Sequence, residues 1–203
     1  MSVKVLPKNK GSKKLFNNKI LETLTRTHIA IPISIFILYA VSLLAYSLIV
    51  IKTLSVGQTV LFFFVGIFVF TFVEYMMHRY LFHIRTGTPA RDKFQYTLHG
   101  VHHEFPKDKE RLAMPPVMSI TISTILLFLF EFIIGDFVFA FLPGFLVGYS
   151  GYLVMHYIQH IFKAPKGFFK SWWANHAVHH YKDQTKAYGV TSPFWDYVFG
   201  TMP

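Results

Sequence analysis

IAIPISIFILYAVSLLAYSLIVI, residues 29 to 51, contains no charged side chain. A helix rises 1.5 Å per residue, so about 20 apolar residues cover the roughly 30 Å hydrocarbon core of a bilayer. This stretch is long enough to cross. The next run, LSVGQTVLFFFVGIFVFTFV at 54–73, is also uncharged and follows after only Lys52 and Thr53. A third run, 117–134, is apolar except for Glu131 near its end, and a fourth, 137–155, begins after Gly135 and Asp136 and holds Pro143, Gly144, Gly148 and Gly151. The four runs are expected to form two tight transmembrane hairpins, turned at Lys52-Thr53 and at Gly135-Asp136.

The remaining composition agrees with a lipid environment. Of 203 residues 53% are hydrophobic, 23 are Phe, and the mean hydropathy is +0.40. Soluble domains of this size rarely carry as much apolar side chain. With no cysteine in the chain, disulfides, thiolate nucleophiles, iron–sulfur clusters and cysteine-bound zinc are excluded. A secretory signal peptide does not fit, because the polar lead is long and the first apolar run exceeds an h-region. The formal charge of +10 calls for an anionic neighbour. Seven Lys and Arg fall in residues 1–27, seven in 74–116 and five from 156 onward, which leaves only Lys52 on the opposite side. The positive-inside rule then places both termini and the central segment in the cytosol, against anionic head groups. Nucleic acid is not the expected partner, since no basic helix or aromatic platform lies outside this pattern. Residues 1–28 read as a basic, flexible cytosolic tail, and 29–203 as one unit of spans plus a cap from 74–116 and 156–203.

Ten of the eleven histidines lie in four clusters, all mapping to that cytosolic face. His78 and His83 stand in EYMMHRYLFH, His99, His102 and His103 in LHGVHH (98–103), His156 and His160 in HYIQH, and His176, His179 and His180 in NHAVHH (175–180). His28 stands alone and reads as an interfacial residue. Side chains three and four apart share a helix face. Each His-x-x-His-His triplet is therefore expected to point one way, as are His156 and His160. His78 and His83 diverge by about 140° on an α-helix, so they reach two different metals or the helix breaks between them. Neutral imidazole is the commonest transition-metal ligand, and an ion takes about four ligands. Ten histidines suit two ions, with every cluster contributing to a shared site. A pH sensor is the competing use of clustered histidine. Ten such groups would repel one another below neutral pH unless metal held them neutral. Glu74, Glu104 and Asp196 are candidates to orient ligand rings.

HRYLFH, LHGVHH, HYIQH and NHAVHH, in this order and at these separations, resemble the membrane fatty acid hydroxylase superfamily. EFPKDKERLAMPP (104–116), with Arg111 and Pro115-Pro116, and the C-terminal GVTSPFWDYVFGTMP (189–203) resemble its fatty acid 2-hydroxylase branch. The likeness covers about residues 70–203. It implies an all-α integral membrane fold of four transmembrane helices capped by a cytosolic helical domain with a dimetal centre. It also implies O2-dependent hydroxylation at carbon 2 of long acyl chains, as free fatty acid or sphingolipid N-acyl group. The ligands it implies are His78, His83, His99, His102, His103, His156, His160, His176, His179 and His180. The implied metals are two irons, replaceable by zinc in purified protein. Many eukaryotic members begin with a cytochrome b5 domain. Here about 28 residues precede the first span, so electrons are expected from a separate cytochrome b5-like or ferredoxin-like protein. The implied location is the bacterial inner membrane, or the endoplasmic reticulum membrane in a eukaryote. Arg111, Tyr157, Trp172, Trp173 and Tyr188 are expected near the substrate opening. Two other readings remain: sterol or carotenoid oxidation or desaturation in the same superfamily, and a non-catalytic metal-binding or transport protein. Transport is disfavoured because the only ionisable residue within the spans is Glu131, near an end.

Overall fold

The computed structural model describes residues 6–84 and 87–203, and among these the chain is helical with no strand. A short helix α1 (Lys19–Thr23) precedes α2 (Ala30–Tyr46), which continues as a π-helical turn over Ser47–Ile51. Lys52, in a left-handed conformation with φ 55°, ends it. Ser55 and Gln58 form a capping box that starts α3 (Val56–Met76). This helix runs on as a second π segment, Met77–Phe82. Thr88 caps α4 (Pro89–Gln95), which passes through a third π segment, Tyr96–Gly100, into α5 (Val101–Glu104). Pro115 and Pro116 set the start of α6 (Pro116–Ile134), a 3-10 turn at Gly135–Phe137 follows, and then α7 (Val138–Ile161). The chain ends with α8 (Lys170–Tyr181) and α9 (Phe194–Val198).

Three continuous helical stretches are long and apolar enough to cross a membrane: Ala30–Ile51, Val56–Phe82 and Lys109–Ile161. The third is folded back on itself. Phe130 of α6 lies 6.0 Å from Phe145 of α7 by ring centroid, where an unbroken helix would separate them by about 22 Å. The two hairpin turns meet through the Thr53 hydroxyl, which donates to Asp136 at 2.9 Å, and the open ends meet where Thr27 N–H donates to the Glu110 carbonyl at 2.9 Å.

The closest helix approach is between α3 and α7. A Cβ on Gly66 would sit 2.0 Å from the Phe141 carbonyl oxygen, and one on Gly144 would sit 1.8 Å from that of Phe63. Small residues at such crossings bring backbones together where lipid gives no hydrophobic drive for association. Around this crossing, Tyr149 stacks on both Phe36 (4.7 Å) and Phe70 (5.3 Å). The outward faces are apolar instead of polar: Phe132 is 89% exposed, and Leu38, Phe64 and Phe128 are also exposed. A continuous apolar exterior of this kind fits lipid, not water.

The leading segment, expected to be a flexible tail, packs against the cap from Lys8 onward. Lys8 N–H donates to the Glu104 carbonyl (2.6 Å) and its ammonium to the Glu104 carboxylate (2.6 Å). Ser12 bonds Asp108 at 2.5 Å, and the Tyr181 hydroxyl donates to Asn9 at 2.8 Å. Residues 1–5 of the expected tail lie outside the described residues.

Candidate metal centre

The ends of α3, α5, α7 and α8 converge where the open end of the bundle meets the cap. Ten histidines meet there in two groups of five. His78, His83, His99, His103 and His179 form group A, and His102, His156, His160, His176 and His180 form group B; within each, the ligand atoms lie within 4.8 Å of one another. All ten side chains are buried. His28 is exposed at the start of α2 and joins neither group.

The local helix type decides the partition. In the π segment at the end of α3 the backbone bonds skip five residues, and His83 N–H donates to the His78 carbonyl at 3.2 Å. That wider turn brings His78 and His83 onto one face, where an α-helix would have separated them. The two therefore reach the same group, not two different metals, and the helix does not break between them. The triplets do the opposite of what a shared face predicts. His99 and His103, four apart, enter group A while His102 enters group B; in α8, His176 and His180 enter group B while His179 enters group A. Each triplet straddles the boundary, with the roles exchanged.

The nitrogen geometry matches an ion-binding polyhedron. Nε2 atoms of neighbouring rings are 3.2 Å apart for His78 and His99, 3.0 Å for His103 and His99, and 3.0 Å for His179 and His83. In group B the spacings are 2.9 Å (His156 and His102), 3.2 Å (His160 and His156) and 2.8 Å (His176 and His160). Ligands about 2.1 Å from a metal and at right angles to each other stand about 3.0 Å apart. The His180 Nε2 has no hydrogen-bond partner although it is buried, which a metal bond would satisfy.

Electrostatics prepares the lone pairs. Burial, reinforced by neighbouring imidazoles, lowers every one of these rings outside the bundle helices. His83 is pushed down to about 2 by burial and by His78, and His179 to about 3 by burial and by His83. His99, His102, His103, His176 and His180 lie well below the ordinary histidine value for the same reasons. At neutral pH the rings are uncharged and able to ligate.

Two group A rings are oriented by backbone carbonyls. His78 Nδ1 meets the Tyr188 carbonyl at 2.6 Å and His179 Nδ1 meets that of Lys186 at 2.7 Å. A protonated Nδ1 in such a bond leaves Nε2 with its lone pair free. None of the three carboxylates that were candidates to orient ligand rings bonds to one directly. Glu104 binds Lys8 and the Tyr96 hydroxyl (2.5 Å), while Glu74 and Asp196 take backbone amides of residues 188–191.

A cavity of about 600 Å³ opens against group B at His160, His176 and His180; Phe162, Trp173 and Tyr181 form part of its wall, and Lys107, Lys163 and Lys170 supply positive charge. Of the five residues expected near an opening, Trp173 lines this cavity and donates its indole N–H to the Phe162 carbonyl at 3.2 Å. Tyr188 is buried beside group A, its ring 5.5 Å from that of His179. Tyr157 packs near Phe162 (6.5 Å), and Trp172 against Phe169 (5.1 Å). Arg111 is elsewhere: its guanidinium binds Glu22 at 2.5 Å, the Thr25 hydroxyl at 2.9 Å and the Lys13 carbonyl at 2.9 Å.

A helical protein with stretches long and apolar enough to cross a membrane, and two abutting, buried five-histidine groups that could hold metal ions, has the design of a histidine-rich membrane metalloprotein. The comparisons narrow this. The model of the fatty acid hydroxylase family matches residues 63–201, and the chain belongs to that family. It is 37% identical, over 94% of its own length and 55% of the other, to the ceramide very long chain fatty acid hydroxylase scs7 of Schizosaccharomyces pombe. It is 38% identical to the dihydroceramide fatty acyl 2-hydroxylase FAH2 of Arabidopsis thaliana over 68% of this chain and 59% of that one. The mouse (Mus musculus) fatty acid 2-hydroxylase is 32% identical over 77% of this chain and 42% of its own. The chain thus spans about half the length of these curated relatives. A solved structure described as full-length scs7p, with only the hydroxylase domain visible, superposes with a TM-score of 0.85 at 34% identity, covering 96% of this chain and 73% of that one.

Proposed function

We propose that this chain is an O2-dependent hydroxylase acting at carbon 2 of long-chain acyl groups, as free fatty acid or sphingolipid N-acyl chain. The observation that carries this reading is the sorting of ten buried, neutral histidines into two groups of five. Family membership and the relatives' names supply the acyl specificity.

The ten histidines named above would hold one ion per group. Imidazole suits iron, and a pair of irons supplies redox chemistry that activates O2; zinc fills such a site without turnover. One oxygen atom goes to carbon 2 and the other leaves as water, with two electrons and two protons from a separate donor of cytochrome b5-like or ferredoxin-like type. The chain's own part is to keep the rings neutral, fix their tautomers through Lys186 and Tyr188, and admit the substrate. The cavity against group B offers an apolar wall including Trp173 and a rim of three lysines, which suits an acyl group with a polar or anionic end.

The two hairpins are read as four membrane crossings by residues 29–51, 54–73, 117–134 and 137–155, within one hydroxylase domain over 29–203 preceded by a basic segment. The asymmetry of the basic residues supports a multi-pass protein with both termini and the metal centre on the cytosolic side, in a bacterial inner membrane or an endoplasmic reticulum membrane.

Lipid profiling of a host expressing the protein tests this, beside a His179→Ala control and an Ala177→Phe variant that narrows the cavity. New 2-hydroxy acyl species, lost in the control and reduced by the cavity variant at full metal content, are expected. Unchanged acyl chains with altered sterols or carotenoids would replace this reading with the other oxidations of the family.

A further inference from the structure

We infer that Asp196 is a positioning residue, with Glu74 bracing the next two peptides, and that together they make the two ion sites unequal, Asp196 fixing the two backbone carbonyls that orient imidazoles of group A. The inference rests on the metal reading above.

Four successive backbone N–H groups are taken by these two carboxylates. Asp196 accepts from Tyr188 N–H (2.8 Å) and Gly189 N–H (2.8 Å), and Glu74 accepts from Val190 N–H (2.8 Å) and Thr191 N–H (3.0 Å). The Thr191 hydroxyl also donates to Glu74, and the Thr201 hydroxyl to Asp196 at 2.7 Å. Both carboxylates are buried, Asp196 at 1% exposure.

Peptide planarity converts these bonds into an aim. The C=O of one residue and the N–H of the next belong to one rigid plane and point in opposite directions. Holding Gly189 N–H on Asp196 therefore turns the Tyr188 carbonyl the other way, onto His78 Nδ1 at 2.6 Å. The same lever acts two residues earlier. Ala187, in a left-handed conformation (φ 54°), donates its N–H to the Thr201 carbonyl at 2.8 Å, which directs the Lys186 carbonyl to His179 Nδ1 at 2.7 Å. Thr201 is itself held by Asp196. There is no room for slack: a Cβ on Gly189 would meet the Ser192 carbonyl oxygen at 2.2 Å and Asp196 Oδ2 at 2.9 Å.

Group B is held less directly. The Nδ1 atoms of His102, His176 and His180 are buried with no hydrogen-bond partner, as are those of His83 and His103 in group A, and the Leu112 backbone lies near His156 without a well-formed hydrogen bond to its Nδ1. Two close carbonyl bonds to ring nitrogens serve group A, and the cavity opens on three rings of group B. An ion in group A is thus held by pre-oriented ligands and one in group B by less constrained ligands next to the opening.

The test is zinc release from the detergent-purified full chain. Zinc-loaded protein is mixed with excess chelator and release is followed with a zinc-sensitive dye. Two phases of one ion each are expected, the slow one missing in His179→Ala and the fast one missing in His180→Ala. Loss of oriented outer partners typically weakens metal binding 10- to 100-fold, so Glu74→Gln, Asp196→Asn and Gly189→Ala should each speed the slow phase about tenfold or more and leave the fast phase in place. Glu22→Gln, which loosens the ion pair between the leading segment and Arg111 away from both groups, controls for general softening and should alter neither phase. Gly189→Ala keeps both carboxylates, so it tests the aim of the peptide separately from the charge, and circular dichroism confirms the helical fold of each variant. Equal release of both ions from the unmodified protein, or equal acceleration of both phases in the variants, overturns the inference. Fewer than two zinc ions bound by the unmodified protein would instead overturn the metal reading beneath it.

Discussion

The imidazoles of His103 and His180 lie face to face, their centroids 4.2 Å apart and their planes 19° from parallel, yet the two rings belong to different five-histidine groups. The groups are therefore in contact through their ligands. This explains the repeated His-x-x-His-His pattern. On each helix two of the three rings, four residues apart, serve one group and the third, beside one of them, serves the other.

Adjacent residues in α8 should consequently disable different sites. His179→Ala removes a ligand from group A and His180→Ala one from group B. Each variant is expected to bind one zinc ion where the intact protein binds two, and both are expected to lose hydroxylation by tenfold or more. Elemental analysis of the folded variants checks the stoichiometry, and the double variant should bind none.

Acid should destabilise the metal-free protein early. A free histidine titrates near 6.5, whereas His83 and His179 are held down at about 2 and about 3 in the fold. Above pH 6.5 neither state binds protons at these rings and stability is level. Below it the unfolded chain takes up protons that the folded chain refuses, so stability falls steadily as pH drops towards the folded values. Thermal unfolding of chelator-treated protein between pH 8 and pH 5 should show the fall beginning near pH 6.5. Zinc-loaded protein should hold its stability to a lower pH, because protons must displace the metal first.

The α3–α7 crossing should be intolerant of a methyl group. Gly66→Ala and Gly144→Ala each place a Cβ within 2.0 Å of a backbone oxygen on the facing helix, and the helices must separate. A loss of about 1–3 kcal/mol is expected for each. Gly57→Ala, which meets nothing within 4 Å, is the matched control. Unfolding in mixed detergent micelles would register the difference.

Arg111 should matter for stability and not for metal. Its side chain is 4% exposed and Glu22 is 14% exposed. Arg111→Ala removes one charged partner and leaves Glu22 with Arg26 and the amides of Leu15 and Phe16, at a cost of about 2 kcal/mol. Zinc stoichiometry should stay at two. Glu22 itself is pulled two ways: burial raises it, but the amides of Phe16 and Leu15 and the guanidiniums of Arg26 and Arg111 hold it down at about 2.

The apolar runs and the histidine clusters were legible in the sequence because both signals are local: hydropathy over some twenty residues, and one residue type at helical spacing. What escaped depends on partners far along the chain. Arg111 reads as a cation near an opening, and its partner Glu22 stands 89 residues away. The first residues read as flexible from composition, and they pair with Glu104 and Asp108, 96 residues on. Glu74 and Asp196 were recognisable as candidates beside the ligands. That they act on peptide planes instead of rings follows from the fold of residues 186–191, which no spacing rule encodes. The assignment of His78 and His83 to one group failed for a different reason: the 100° step of an α-helix was applied to a segment that is π-helical.

That widened turn also means the site is written partly in chain length. Substitution leaves the count of residues between His78 and His83 untouched, so a full alanine scan would never reveal it. Inserting one residue after Leu81 should put six steps between His78 and His83, turn the two imidazoles about 120° apart on an α-helix, and empty group A while every ligand is still present; deleting Leu81 should leave them four apart on an α-helix, about 40° from one another, and still on one face. An insertion scan through residues 79–82, read by metal content, would find a determinant that has no side chain of its own.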